Sequence, residues 1–127
     1  MNSQPENQTI TALIIEDNKD LASVYSIALQ DAGFETDAVH DGAVAVSRLE
    51  TETPNLIVLD LGLPNVPGDE ILRYIRGEER FDQTRVLITS ADQRLATTLG
   101  GSGVIVLIKP VSFKQLRELS VRLKSRF

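Results

Sequence analysis

Asp60 closes an unbroken apolar run, Leu56-Ile57-Val58-Leu59, and the residues after it, Leu61-Gly62-Leu63-Pro64, read as the opening of a loop. Such a run is the pattern of a strand buried on both faces of a parallel sheet, and open α/β sheets bind ligands beyond the carboxyl ends of such strands. Two more acidic residues, Glu16 and Asp17, close the run Ala12-Leu13-Ile14-Ile15, and Lys109 closes Val104 to Ile108. Three carboxylates and one ammonium at three strand ends can converge on one crevice. That set suits a divalent cation beside a phosphoryl group. Taken singly each residue has a plainer role: Asp60 as a solvated or capping carboxylate, Lys109 as a surface lysine, Ser90 as a loop hydroxyl.

Strand-like and helix-like patterns alternate around these groups. Thr9 to Ile15 reads as a strand. Asp20 is the expected cap of a helix in which Leu21, Val24, Tyr25, Ala28 and Leu29 recur at helical spacing, with Gly33 as its stop. Phe34 to Val39 reads as an edge strand and Gly42 to Leu49 as a helix, with Pro54 ending the next turn. After the strand Leu56 to Asp60, Gly68 to about Gly77 forms a third helix with Ile71, Leu72 and Ile75 on one side. Val86 to Thr89 is a strand, Ala91 to Leu99 a short, weak helix with the exit Gly100-Gly101-Ser102-Gly103, and Val104 to Ile108 a fifth strand. Ser112 is placed to cap a last helix with Phe113, Leu116, Leu119 and Leu123 facing inward. Five β/α units with short connections predict an α/β fold, a doubly wound parallel sheet with helices on both faces. One domain over residues 9–127, behind a flexible tail at residues 1–8, is expected.

Composition narrows the chemistry. The 127 residues include no cysteine, which excludes disulfides and thiolate metal sites, and the single histidine excludes a multi-histidine site. No apolar stretch approaches the roughly 18 residues of a membrane span, and Met1 to Gln8 lacks a signal-peptide core, so a cytoplasmic location and no membrane insertion are expected. A net charge of −5 and a pI near 4.8 argue against direct nucleic-acid binding. Lys114, Arg117, Arg122, Lys124 and Arg126 read first as the solvated face and favourable C-terminal charge of the last helix, and second as a docking patch for an acidic partner. His40 reads as an exposed residue at the end of the edge strand, with nothing around it to support a role as phosphate carrier.

Five motifs in order carry a family resemblance: Leu13-Ile14-Ile15-Glu16-Asp17-Asn18, Ile57 to Pro64 around Asp60, Gly68, Ile88-Thr89-Ser90-Ala91 and Ile108-Lys109-Pro110. Over about residues 9–127 the chain resembles the receiver domain of two-component response regulators. The resemblance implies a flavodoxin-like (βα)5 fold with five strands in the order 2-1-3-4-5. It implies Asp60 as phosphoacceptor, with Mg²⁺ held by Asp17, Asp60 and the carbonyl of Gly62, and by Glu16 through water. Lys109 would neutralise a phosphoryl oxygen. Ser90 would be the switch hydroxyl followed by the small residue Ala91, with Thr89 as the alternative hydroxyl. A cis Lys109-Pro110 bond is implied, and an output face that includes Val106 and Pro110.

The function so implied is a phosphorylatable response regulator, not a metabolic enzyme. It would take a phosphoryl group from a histidine kinase or phosphotransfer protein and signal to a downstream protein target or a separate output domain. A phosphorylation-dependent dimer is compatible with it. The alternative is a pseudo-receiver that binds partners without phosphorylation. A haloacid-dehalogenase-type phosphatase would need a second aspartate where Gly62 stands, and a flavodoxin-like carrier would need a hydroxyl- and glycine-rich loop where Glu16-Asp17-Asn18 stands.

Three departures from the family pattern stand out. Val106 replaces a frequent aromatic, the Ser90 to Lys109 stretch is short and glycine-rich, and Pro67-Gly68 replaces an acidic-glycine pair while Gly62 leaves the acceptor lightly shielded.

Overall fold

The computed structural model describes residues 9–99 and 103–127. The expected tail at residues 1–8 and the glycines at 100 and 101 lie outside the described residues. Strands β1 (Thr11–Ile15), β2 (Glu35–Val39), β3 (Leu56–Asp60), β4 (Arg85–Ser90) and β5 (Val104–Ile108) form one parallel sheet in the order β2-β1-β3-β4-β5. Helices α1 (Lys19–Asp31), α2 (Gly42–Thr51), α3 (Gly68–Arg76), α4 (Gln93–Leu99) and α5 (Phe113–Lys124) connect and cover the strands.

Alternation along each strand sorts the core into two layers. Ala12, Ile14, Val58, Leu87 and Leu107 face α1 and α5, meeting Tyr25, Ala28, Leu29, Leu116 and Leu123. Leu13, Ile15, Ile57, Leu59 and Ile88 face the other way, meeting Ala45 and Leu49 of α2 and Ile71, Leu72 and Ile75 of α3. Residues Leu56 to Leu59 are buried on both faces, each large side chain contributing about 1.5–3 kcal/mol by leaving water. The registers Ile15↔Leu59, Asp60↔Thr89 and Ser90↔Ile108 bring four strand ends to one edge, so Glu16, Asp60, Ser90 and Lys109 become neighbours.

Helix starts and stops refine the sequence reading. Asn18, not Asp20, caps α1: its side chain accepts the Leu21 N–H at 3.0 Å, and Asp20 lies in the first turn. Both are cap-forming types, and the chain enters the helix two residues earlier than Asp20 suggests. Gly33, at φ +102°, follows α1 in a conformation that favours glycine. Ser112 caps α5 as expected, accepting the Gln115 N–H. Phe113, expected inward, is exposed at the first residue of α5; Val24 of α1 is exposed too, while Ala22 and Ser120 are buried. A short 3₁₀ turn, Glu79–Phe81, buries Phe81 between α3 and β4 and has no periodic signature.

Gly68 sets the distance between α3 and the end of β3. A Cβ there would lie 2.5 Å from Leu61 Cα and 2.8 Å from the Asp60 carbonyl oxygen. No side chain fits, so the helix presses its first residue directly on the backbone that presents Asp60.

Candidate functional site

At the carboxyl edge of the sheet, β1 delivers Glu16 and Asp17, β3 delivers Asp60, β4 ends in Ser90 and β5 leads into Lys109. Carboxylate oxygens of Glu16, Asp17 and Asp60 all lie within 4.8 Å of one another, so the three can hold one metal ion. Glu16 and Asp60 are buried, whereas Asp17 is exposed at the mouth. Lys109 Nζ stands 3.2 Å from Glu16 Oε1 and 3.4 Å from Asp60 Oδ2. Backbone groups complete the shell: the Asn18 N–H donates to Glu16 Oε2 at 3.1 Å, and the Gly62 N–H donates to Asp60 Oδ1 at 3.0 Å. The Lys109–Pro110 peptide is cis.

The electrostatics follow from burial. Desolvation pushes the Glu16 carboxyl above its usual range, and the Asp60 charge adds to this; the Asn18 N–H and Lys109 oppose it without cancelling it. Burial works against the Lys109 ammonium too, but Asp60 and then Glu16 outweigh it and hold its pKa above the usual lysine value. Three carboxylates share one ammonium, and the excess negative charge favours a cation. An all-oxygen donor set fits a hard divalent ion.

A crevice of about 390 Å³ opens over the group, lined by Asp17, Asp60, Gly62, Ser90, Ala91 and Lys109, with Leu61, Asp92 and Leu95 at its walls. Ser90 is buried and its Oγ accepts the Asp92 N–H at 3.0 Å. Thr89 does not line the crevice; its hydroxyl is fully buried and without a hydrogen-bond partner. Val106 is half-buried against the layer of α2 and α3. Pro110 is exposed and lines a separate cleft with Leu21, Tyr25, Val111 and Lys109.

Sequence reasoning passed over three contributors. Asn18 joins α1 to Glu16, one residue serving both as cap and as hydrogen-bond donor. Asp92 holds Ser90 through its backbone and Arg94 through its carboxylate. His40 is half-buried rather than exposed, its Nδ1 lying 3.0 Å from the Glu16 carbonyl oxygen. A carbonyl only accepts, so Nδ1 carries the proton in this contact. An asparagine directly after the acidic pair was a readable signal; the His40 contact spans 24 residues and was not.

Comparison with protein-family models matches residues 12–120 to the response regulator receiver domain. The transcriptional regulatory protein TrcR of Mycobacterium tuberculosis is 31% identical over 113 residues, covering 87% of this chain and 44% of that protein. The alkaline phosphatase synthesis transcriptional regulatory protein PhoP of Bacillus subtilis is 28% identical over 88 residues, 69% of this chain and 36% of that protein. The chain thus spans less than half the length of these curated relatives. Among solved structures, the receiver domain of Francisella response regulator 1452 superposes with a TM-score of 0.81 at 26% identity, covering 93% of this chain and 98% of that one. The signal receiver domain of a putative Luxo repressor protein from Vibrio parahaemolyticus gives 0.80 at 29% identity, covering 94% and 95%. With its strand order, its cluster of strand-end acids and a matching stretch that covers most of its length, the chain belongs to the response regulator receiver domain family.

Proposed function

We propose that this receiver takes a phosphoryl group on Asp60 with the help of Mg²⁺, from a histidine kinase or phosphotransfer protein, in the cytoplasm. The observation that carries the reading is the position of Lys109 Nζ between Glu16 and Asp60, with three carboxylate oxygens inside 4.8 Å. Asp17, Asp60 and the Gly62 carbonyl would hold the ion directly. Glu16 would act through water, because both its oxygens are already engaged, by Lys109 and by the Asn18 N–H. Bound Mg²⁺ supplies charge neutralisation for the carboxylates and the incoming phosphoryl oxygens.

The chain's own groups supply orientation. A carboxylate oxygen of Asp60 forms a bond to phosphorus while the bond from phosphorus to the donor breaks, and the donor keeps that electron pair. The Gly62 N–H fixes the carboxylate plane, and Lys109 moves its charge from carboxylate to phosphoryl oxygen. Ser90 then donates its hydroxyl to a phosphoryl oxygen, and the loop through Ala91 and Asp92 carries the change to the output face, a local charge event biasing a bistable loop. Residues 9–127 would act as one such domain, passing the signal to a downstream protein or output domain. The pseudo-receiver alternative finds no support in this residue set.

Asp60→Ala tests the assignment. Mg²⁺-dependent labelling by acetyl phosphate should be abolished; labelling equal to the parent's sinks it. The lifetime of the acyl phosphate tests the lightly shielded acceptor. A Cβ at Gly62 meets only Asp60 Oδ1, at 3.7 Å, so Gly62→Asn fits and should lengthen the lifetime. Equal lifetimes remove that idea.

A further inference from the structure

The strand at the edge of the sheet brings no ligand to the acidic crevice, yet its end holds both loops that do. Strand β2 pairs with β1 and is not a neighbour of β3. Beyond Val39, its last residue, the chain continues as His40-Asp41 and enters α2. His40 secures the first loop. The Glu16 N–H donates to the Val39 carbonyl at 3.1 Å, and the Glu16 carbonyl accepts from His40 Nδ1 at 3.0 Å. Both backbone groups of Glu16 are thereby tied to the end of β2, so the ladder runs one residue past Ile15 with a side chain as its last donor. Asp41 secures the second loop. One of its carboxylate oxygens caps α2, accepting the Ala43 N–H at 2.7 Å and the Val44 N–H at 3.3 Å; the other accepts from the side-chain amide of Asn65. Asn65 holds a φ of +69°, which asparagine tolerates better than most residues. Gly42 closes the joint: a Cβ there would lie 2.5 Å from the Val66 carbonyl oxygen.

The two loops so held are the ones that carry Asp17 and the Gly62 carbonyl. Among the described residues no donor reaches the Asp17 carboxylate, so its place is set by the backbone on which it stands. The residue before it is fixed by His40. Gly62 stands in the loop from Leu61 to Pro67, whose far end is fixed by Asp41. We infer, on the reading that Asp17, Asp60 and the Gly62 carbonyl hold the ion, that His40 and Asp41 are positioning residues for the cation site. They set the span between Asp17 and Gly62 without touching the ion. Mg²⁺ accepts little error in that span, because it demands near-ideal octahedral geometry. Groups behind the ligands govern a large share of metal affinity for this reason. Helix capping alone does not account for the pair. A serine would also cap α2, without a second oxygen for Asn65, and His40 caps nothing.

The test is a Mg²⁺ titration of the full chain, read from the amide resonances of Asp17 and Gly62. His40→Phe keeps a ring and removes the donor; it should weaken binding roughly tenfold. His40→Asn keeps a nitrogen donor on Cγ, where Nδ1 stands, and should bind within about twofold of the parent. Asp41→Ser and Asn65→Gly cut the second contact from its two sides while leaving α2 capped. Each should weaken binding severalfold, and the double variant should bind no more weakly than the worse single one. Without metal, the Gly62 N–H should exchange with solvent faster in both. Urea unfolding reports any general loss of stability. If His40→Phe does not fold, Asn65→Gly, which alters neither helix cap nor charge, decides. A parent that binds Mg²⁺ alongside variants that bind it equally overturns this inference alone. So does an equal loss in His40→Asn and His40→Phe, or losses at Asp41 and Asn65 that add. A parent that binds no Mg²⁺ removes the functional reading, and this inference with it.

Discussion

Two groups of charges in this molecule have similar chemistry and opposite settings. At the strand ends, Glu16 and Asp60 are buried around Lys109. On the β2–α2 side, Arg48 holds Asp37 at 2.5 Å and Glu52 at 2.7 Å, with both carboxylates substantially in water. Solvent screens the second group, so its short distances are worth little to stability. In the first the carboxylates have lost their water, and they depend on Lys109, itself about as exposed as Arg48. Short contacts therefore identify the stapled surface group, whereas desolvation and excess charge identify the group poised for a ligand.

Removing the central cation of each group separates them most. Lys109→Met leaves two buried carboxylates facing each other and should cost about 2 kcal/mol in urea unfolding without metal. Adding Asp60→Asn should recover part of that loss. Arg48→Met should cost about 0.5–1 kcal/mol, and the cost should shrink in high salt. If the two losses are equal, the distinction fails.

The pH response gives the smallest and most specific contrast. Hydrogen bonds from Arg48 hold the Asp37 and Glu52 carboxyls below their ordinary values of 3.8 and 4.5. Their contribution is present above those values and is lost as pH falls through the lowered pKa values. Burial raises the Glu16 pKa above 4.5, so the folded chain retains this proton longer than the unfolded one. Glu16 therefore favours folding at pH below 4.5 and loses that contribution as pH rises through its raised value. Carboxyl carbon NMR titration with rising pH should show Asp37 and Glu52 ionising before Glu16; the reverse order would break the comparison.

Features that depend on neighbours in sequence were legible; those that depend on neighbours in space were less so. The run Leu56 to Leu59 announced a buried strand, and hydrophobic identity alone placed Asp60 at its end. The strand order followed from the family motifs, because alternation of elements permits several doubly wound orders. Helical spacing named the apolar residues of α1 and α5, but Phe113, expected inward, is exposed at the first residue of α5, while Ser120, two turns along the same face, and Ala22 of α1 are buried. Small and polar residues in a core carry no hydrophobic signal. The contact from His40 to Glu16 arises only when β2 pairs with β1, and Phe81 reaches the core through a turn too short to show a period.

The anchoring of Ser90 has a consequence for how fast the crevice can answer an arriving anion. Its oxygen is fixed by accepting the Asp92 N–H, while the hydroxyl hydrogen remains able to swing around the Cβ–Oγ bond. If Ser90 donates to an anion as proposed, its hydroxyl can turn about that bond without surrendering the hydrogen bond from Asp92.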